Sequence, residues 1–212
     1  MQTLLSTAYL PPIEYMALLA NQDTILLEKE ETYPKQTYRN RCRIMSANGT
    51  LNLSIPINKP LGNSTKTKEA TINNNELWYK NHWKAIESAY SSSPFFLYYK
   101  DDFQDFFTGN YDSLILFNTE LTNKLLDVIG IKCELKFAES FVKPNSFPND
   151  FRFSITPKNN SKHSQYEKYT QVFADKFPFV PNLSIFDLLF NKGPETHDYL
   201  LTISNSNQDR QF

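Results

Sequence analysis

The spacing of apolar residues changes several times along the chain, and each change marks an element. Residues 3–8, TLLSTA, read as a short buried strand. Tyr9-Leu10-Pro11-Pro12 then turns the chain, and Pro12 suits a first helical position, where the N–H it lacks would be unpaired anyway. IEYMALLAN puts Ile13, Met16, Ala17 and Ala20 on one face, which predicts a helix to about Asn21. TILLE, residues 24–28, returns to strand. Strand, turn, helix, strand is a βαβ unit, so an α/β fold is expected, with this unit feeding a mixed sheet.

Asn48-Gly49 predicts a β-hairpin arm, because both residues tolerate positive φ. Leu51, Leu53, Ile55 and Ile57 alternate with polar neighbours, and Pro56 pushes that arm towards a sheet edge. Residues 58–69 read as a polar loop. Three helices follow in the middle of the chain. Tyr79, Trp83, Ile86 and Tyr90 form a stripe in the first; SSSPFFLYYKDDFQDFF carries aromatics on nearly every face; Leu114, Phe117, Leu121, Leu125 and Val128 stack in the third, which stops at Gly130. CELKFAESF reads as a strand. Residues 143–165 read as a polar loop enclosing a short strand, FRFSI, and YTQVF (169–173) as another strand. PNLSIFDLLFNKG gives a helix with Ser184 and Asp187 at capping-box spacing and a stop at Gly193-Pro194. One domain over residues 1–204 and a tail over 205–212 is the organisation expected, without internal repeats.

Composition narrows the function classes. Hydrophobic residues make up 40% and charged residues 21%, a globular balance, with 17 Phe and 12 Tyr. A formal charge of −1 supplies no global field for nucleic acid or anionic lipid, so electrostatic function must be local. Five Gly argue against a Gly-rich phosphate cradle, and Cys42 and Cys133 alone build neither a disulfide framework nor a zinc site. The apolar N-terminus lacks a basic segment, and no apolar run approaches ~18 residues, so a cytoplasmic protein is expected.

Local charge is where chemistry enters. KQTYRNRCRI (35–44) holds Lys35, Arg39, Arg41 and Arg43 just after the acidic run EKEE (28–31). In an extended chain these alternate positions share a face, and guanidinium groups can grip phosphate or carboxylate with two parallel hydrogen bonds. One reading is an anion site containing Arg39, Arg41 and Lys35; the other is that the cations neutralise Glu28, Glu30 and Glu31 on a solvated face. His82 sits one position off the aromatic stripe and is a candidate acid or base, with Glu28 and Glu30 as alternatives. Tyr9 and Trp78 are candidates to stack on a substrate ring. His163 and His197 read as structural, and three scattered histidines do not space a metal site. No Walker loop, dinucleotide fingerprint or nucleophile elbow is present, and the residues name no cofactor.

Taken together, YLPPIEYMALLAN, KQTYRNRCRI, LNLSIPI, LWYKNHWKAIESAY with SPFF, and PNLSIFDLLFNKGPE resemble the WbqC-like proteins of bacteria, from about Leu4 to about Leu200. The resemblance implies a link with O-antigen and related surface-polysaccharide gene clusters. It matches the family's aromatic-proline turn to Tyr9 and Pro12, its Asn-Arg pair to Asn40 and Arg41, and its helix histidine to His82; Glu14 stands where many relatives carry Gly. Two functions remain open. One is an enzyme of surface-polysaccharide or cell-envelope glycoconjugate biosynthesis, a transferase taking an anionic or activated-sugar substrate. The other is a non-catalytic assembly or adaptor protein that uses the aromatic-rich surface, for which a homo-oligomer is the simplest partner.

Overall fold

Strand β1 (Thr3–Ser6) is buried at every position, as befits a strand covered on both faces inside a parallel sheet. In the computed structural model, which describes residues 2–144, 146–158 and 166–208, the chain turns after β1 into α1 (Ile13–Ala20) and returns as β2 (Thr24–Glu28). β1 and β2 run parallel, with Ser6 opposite Glu28. β3 (Arg41–Ser46) and β4 (Gly49–Ser54) form the hairpin, and β5 (Ile57–Asn58) pairs antiparallel with β6 (Thr71–Ile72). Helices α2 (Trp78–Tyr90), α3 (Phe96–Phe103) and α4 (Leu114–Ile129) occupy the middle of the chain. β7 (Glu134–Phe137) and β8 (Asn149–Asp150) return to the sheet, and α5 (Ile185–Lys192) and α6 (Thr196–Gln208) follow.

The sheet runs β7-β2-β1-β8, parallel throughout. It therefore grows from β1 through β2 to β7, and β8 then lies on the opposite side of β1. That reversal makes the carboxyl ends of β1 and β8 a topological switch point, the place where open α/β sheets receive ligands. The expected mixed sheet resolves into this parallel sheet and two separate antiparallel ladders.

The turn between β1 and α1 is held from outside. Leu10, wholly buried, takes φ of +40°, a region a branched side chain occupies only when its surroundings enforce it. They do so through backbone bonds. Tyr9 N donates to Tyr38 O (2.8 Å), Ile13 N to Leu183 O (3.0 Å), and Ile185 N to Pro11 O (2.8 Å). Glu14 N donates to the Asn182 side chain (2.9 Å). The first donors of α1 are thus taken by residues 182 and 183, and the helix N-terminus is not open to an anion.

Several expectations change on contact with the fold. The hairpin forms, but positive φ falls on Gly49 alone; Asn48 does not share it. FRFSI is a turn, and the sheet strand lies just before it at Asn149–Asp150; YTQVF is irregular and is fastened by side chains instead of a ladder. Ser184 does cap α5, accepting from Phe186 N, but Asp187 turns away to meet Tyr169 and Gln171, so no reciprocal capping box exists. Residues 196–208 continue as α6, which packs along α1 and runs into the first residues of the expected tail over 205–212. His163 lies outside the described residues. Among the described residues no helix is long and apolar enough to cross a membrane.

Candidate functional site

The carboxyl ends of β1, β2 and β8 carry Ser6, Glu28 and Asp150, and a buried ionic network joins them. Arg152, 2% exposed, donates from Nε to Asp150 Oδ1 (2.9 Å), from Nη2 to Asp150 Oδ2 (2.6 Å), and from Nη1 to Glu28 Oε2 (3.2 Å) and the Val142 carbonyl (3.0 Å). Glu28, with no exposed surface, also accepts from Glu30 N (2.7 Å) and Val142 N (2.8 Å). Arg39, 3% exposed, donates from Nε to Glu31 Oε1 (3.0 Å) and from Nη2 to Ser6 and Glu31. Burial works against the charge on Asp150, yet Arg152 keeps its carboxyl below the usual range. The acidic run is therefore neutralised by several partners: Glu28 by Arg152, Glu31 by Arg39, and Glu30 by Lys66 (2.9 Å) and Lys68 (2.8 Å).

A narrow hollow opens at this edge, lined by Ser6, Thr7, Tyr38, Arg39, Phe151 and Arg152 among others. Its walls come from the ends of β1 and β8, so it sits at the switch point. Arg39 Nη1 makes no hydrogen bond to the described residues, and neither does the Thr7 hydroxyl.

Beyond Arg39 the cation row enters β3. Residues 35–40 are turns, so the extended face predicted for all four cations holds only from Arg41: Lys35 is exposed and apart, because Gln36 takes φ of +60° and redirects the chain. Three successive carbonyls hold the row in place. Tyr38 O accepts from Tyr9 N, Arg39 O from Asn118 Nδ2 (2.8 Å), and Asn40 O from Ile55 N (2.8 Å), while Asn40 Nδ2 returns a bond to Ile55 O (2.8 Å). Asn40 is thus a backbone fastener of the hairpin. Arg41 and Arg43 are half-buried on the face opposite Cys42 and Ile44, and the Nε of each is buried without a partner. Two hydroxyls flank them. Tyr33, whose hydroxyl is also buried and unpartnered, is pushed up to about 12 by burial, with Arg39 and Arg41 pulling the other way. Tyr38 is likewise pushed up to about 12 by burial, opposed by Arg43.

Tyr9, Trp78 and His82 meet one another but not this row. The Tyr9 hydroxyl lies 2.8 Å from His82 Nδ1, the two rings stack at 5.6 Å, and Trp78 contacts both edge-on. Tyr9 has no exposed surface, Trp78 4% and His82 6%, so none presents a face to a ligand. Burial lowers the His82 pKa to about 4, partly offset by the nearby Ser54 backbone, which favours the protonated ring. Pro12 bridges to Ser184 and closes the turn. Sequence reasoning passed over Arg152, Asp150, Ser6, Thr7, Tyr33 and Tyr38. Asp150 and Arg152 stand two apart at a strand end, a spacing that allows the bidentate pair, but the reading as a strand over 151–155 hid it.

Replacing Arg152 with Met should cost about 3–5 kcal/mol in urea unfolding, because Glu28 and Asp150 lose their buried counter-charge. His82 should titrate near 4 when its imidazole C–H signals are followed by NMR. Its folded pKa lies below its unfolded value, so it contributes stability above about pH 6.5 that is withdrawn as the pH falls towards 4. Asp187 acts in the opposite sense. Burial raises its carboxyl to about 6, so its contribution is present at low pH and is lost as the pH rises through 6. The Asp187→Asn variant should therefore steepen the loss of stability on acidification between pH 6 and 4.

Comparison with known proteins places this geometry in a lineage. An uncharacterized protein of Mycobacterium tuberculosis is 26% identical over 220 residues, spanning 91% of this chain and 94% of that protein. No solved structure matches the chain. The model of the WbqC-like protein family matches residues 7–164 and 151–199, so the row, the hairpin, the aromatic helix and α5 all lie within matched sequence, and the chain belongs to that family.

Proposed function

We propose that the protein is an enzyme of surface-polysaccharide or cell-envelope glycoconjugate biosynthesis, a transferase that holds an anionic or activated-sugar substrate against the arginines of residues 39–43. One observation carries this reading. The carboxylates of the acidic run are matched by Arg39, Arg152, Lys66 and Lys68, which leaves Arg41 and Arg43 with buried Nε donors and no partner among the described residues. Buried donors left unpaired cost free energy, and a row of them fixed by three backbone carbonyls suits a ligand that supplies acceptors. Thr7, Tyr33 and Tyr38 add hydroxyls, and the switch-point hollow beside Arg39 supplies the entrance. Glu28 holds this wall in place through Arg152, and Tyr9, Trp78 and His82 hold the turn behind it. Glu30 is engaged by two lysines and Lys35 stands at the rim. The polysaccharide link rests on family membership, and the anion on the geometry.

The reading as an adaptor draws on α3, where the neighbouring Leu97 and Tyr98 are 71% and 76% exposed. Light scattering at micromolar concentration tests it: a strict monomer counts against an adaptor that self-associates through α3, whereas a dimer, even one that Tyr98→Glu makes monomeric, is compatible with both readings.

Isothermal titration with a panel of nucleotide sugars and sugar phosphates tests the enzyme reading. Arg41→Ala and Arg43→Ala strand no carboxylate, so both should fold as the parent does. Each should weaken binding of the best member by about 1.5–3 kcal/mol, the worth of a charged hydrogen bond. Failure of the parent protein to bind any member would remove the reading.

A further inference from the structure

Independently of the arginine row, we infer that a cleft at the far end of α5 is a second binding site, and that it takes an uncharged saccharide. The cleft encloses about 780 Å³, within the range that holds small ligands. Three parts of the chain wall it: the turn between α2 and α3, the irregular segment 168–179, and the end of α5 with the turn after it. These walls are fixed from within the fold. Gln171 donates to the Val180 carbonyl (2.9 Å) and to Asp187 Oδ2 (2.7 Å), and accepts from Val180 N (2.9 Å). The Tyr169 hydroxyl donates to the same Asp187 oxygen (2.6 Å), so the segment is tied to α5 without a ladder. In the α2–α3 turn, Phe95 N donates to Phe190 O (3.0 Å). The Phe95 ring lies so close to Gly193 that a Cβ there would stand 2.5 Å from it, so glycine is what seats this ring against the end of α5.

The chemistry of the lining selects the ligand. Lys192 and Glu195 form an ion pair with each other, which leaves Lys168 as the one charge of the lining without a partner among the described residues. A single lysine does not make a phosphate cage, and no carboxylate is left over for a cation. The open polar groups are neutral instead. The Ser92 and Thr170 hydroxyls and Asn191 Oδ1 make no hydrogen bond to the described residues, whereas Asn191 Nδ2 is spent on the Asp187 carbonyl (2.7 Å). Hydroxyls both donate and accept, so a ligand that satisfies this set without bringing charge carries hydroxyls of its own. Beside them stand partly exposed rings: Phe95, and Tyr169 edge-to-face with Phe179 at 5.2 Å. Such rings bury the C–H face of a sugar while its hydroxyls reach Ser92, Thr170 and Asn191. An extended peptide is recognised by adding to a sheet edge, and this segment forms no ladder for one to continue. The other end of α5 adjoins β3, where Ser184 N donates to Arg43 O (2.8 Å). The eight residues of α5, about 12 Å long, therefore stand between this cleft and the arginines.

Amide NMR titration of the full chain with neutral trisaccharides of glucose, galactose, mannose and N-acetylglucosamine is the test, with tri-alanine and adenosine as comparisons. At least one trisaccharide should shift the amides of residues 168–174 and 191–195 saturably, with a Kd of about 1 mM or tighter. Ala174 lines the cleft from an exposed position, so Ala174→Trp fills the space and should weaken that binding at least about tenfold. Thr170→Val keeps the shape, loses the hydroxyl and should weaken it by about threefold or more. No saturable shift with any trisaccharide, or shifts confined to other parts of the chain, would overturn the site. Binding that Ala174→Trp leaves unchanged would do the same. Tri-alanine or adenosine binding as tightly as the best trisaccharide would overturn the ligand class. Should Ala174→Trp fail to fold, Thr170→Val and the comparison of probes still decide.

Discussion

Burying a guanidinium is tolerable only when its counter-charges and hydrogen bonds are buried with it, and this constraint organises the carboxyl end of the sheet. Arg152 satisfies it with Asp150 and Glu28, and Arg39 with Glu31 and Ser6. These four partners come from three strands and a turn, so the ion pairs also align the strands. β8 has only two residues and a short register with β1, Thr3 to Asn149 and Leu4 to Asp150. It stays on the sheet because Arg152, two residues on, reaches across to the end of β2. Without that reach, the reversal between β1 and β8 would lack an outer wall.

The same network explains why the cations of residues 39–43 divide into two kinds. Arg39 lies before β3, where the turn delivers it inward to Glu31. Arg41 and Arg43 lie within β3, whose other face carries Cys42 and Ile44 into the core. Strand alternation then forces both guanidinium groups to the outer face, away from the carboxylates that would have paired with them. One decapeptide thus contributes a structural ion pair and a row of open donors, and the boundary between them is the start of the hairpin.

Much of the fold was legible because its signals are local. The βαβ opening, the hairpin at Asn48-Gly49, the three middle helices and the stop at Gly130 each depend on spacing within about ten residues. Legibility failed where side chains replace ladders. Gln171 bonds both backbone groups of Val180 and also meets Asp187, so the segment around it is pinned without strand pairing, and its apolar residues imitated a strand. The same failure hid Arg152, whose partner Glu28 is far away in sequence. At the candidate site the concentration of cations was readable, but their division was not, because it depends on where β3 begins. Tyr9 and Trp78 were readable as aromatics able to stack on a substrate ring. Their burial was not, since Phe117, from a helix much later in the chain, packs against both rings.

Buried polar groups of the fold divide into those with full sets of partners and those without. His82 Nδ1 pairs with the Tyr9 hydroxyl, Glu28 accepts from Arg152 and two backbone amides, and Gln171 spends its whole amide on Val180 and Asp187. Each of these sites is saturated, so each specifies the fold without inviting a ligand. Arg41 Nε, Arg43 Nε and the Tyr33 hydroxyl are buried without a partner among the described residues, as are single oxygens of Thr67, Asn118, Asp187 and Thr196. The two arginines alternate along one strand and share one sign of charge, so the geometry of β3 places both unpartnered Nε donors on the same face. Their backbone is fixed at Tyr38, Arg39 and Asn40 by three separate elements, so relaxation cannot carry them to a partner within the protein.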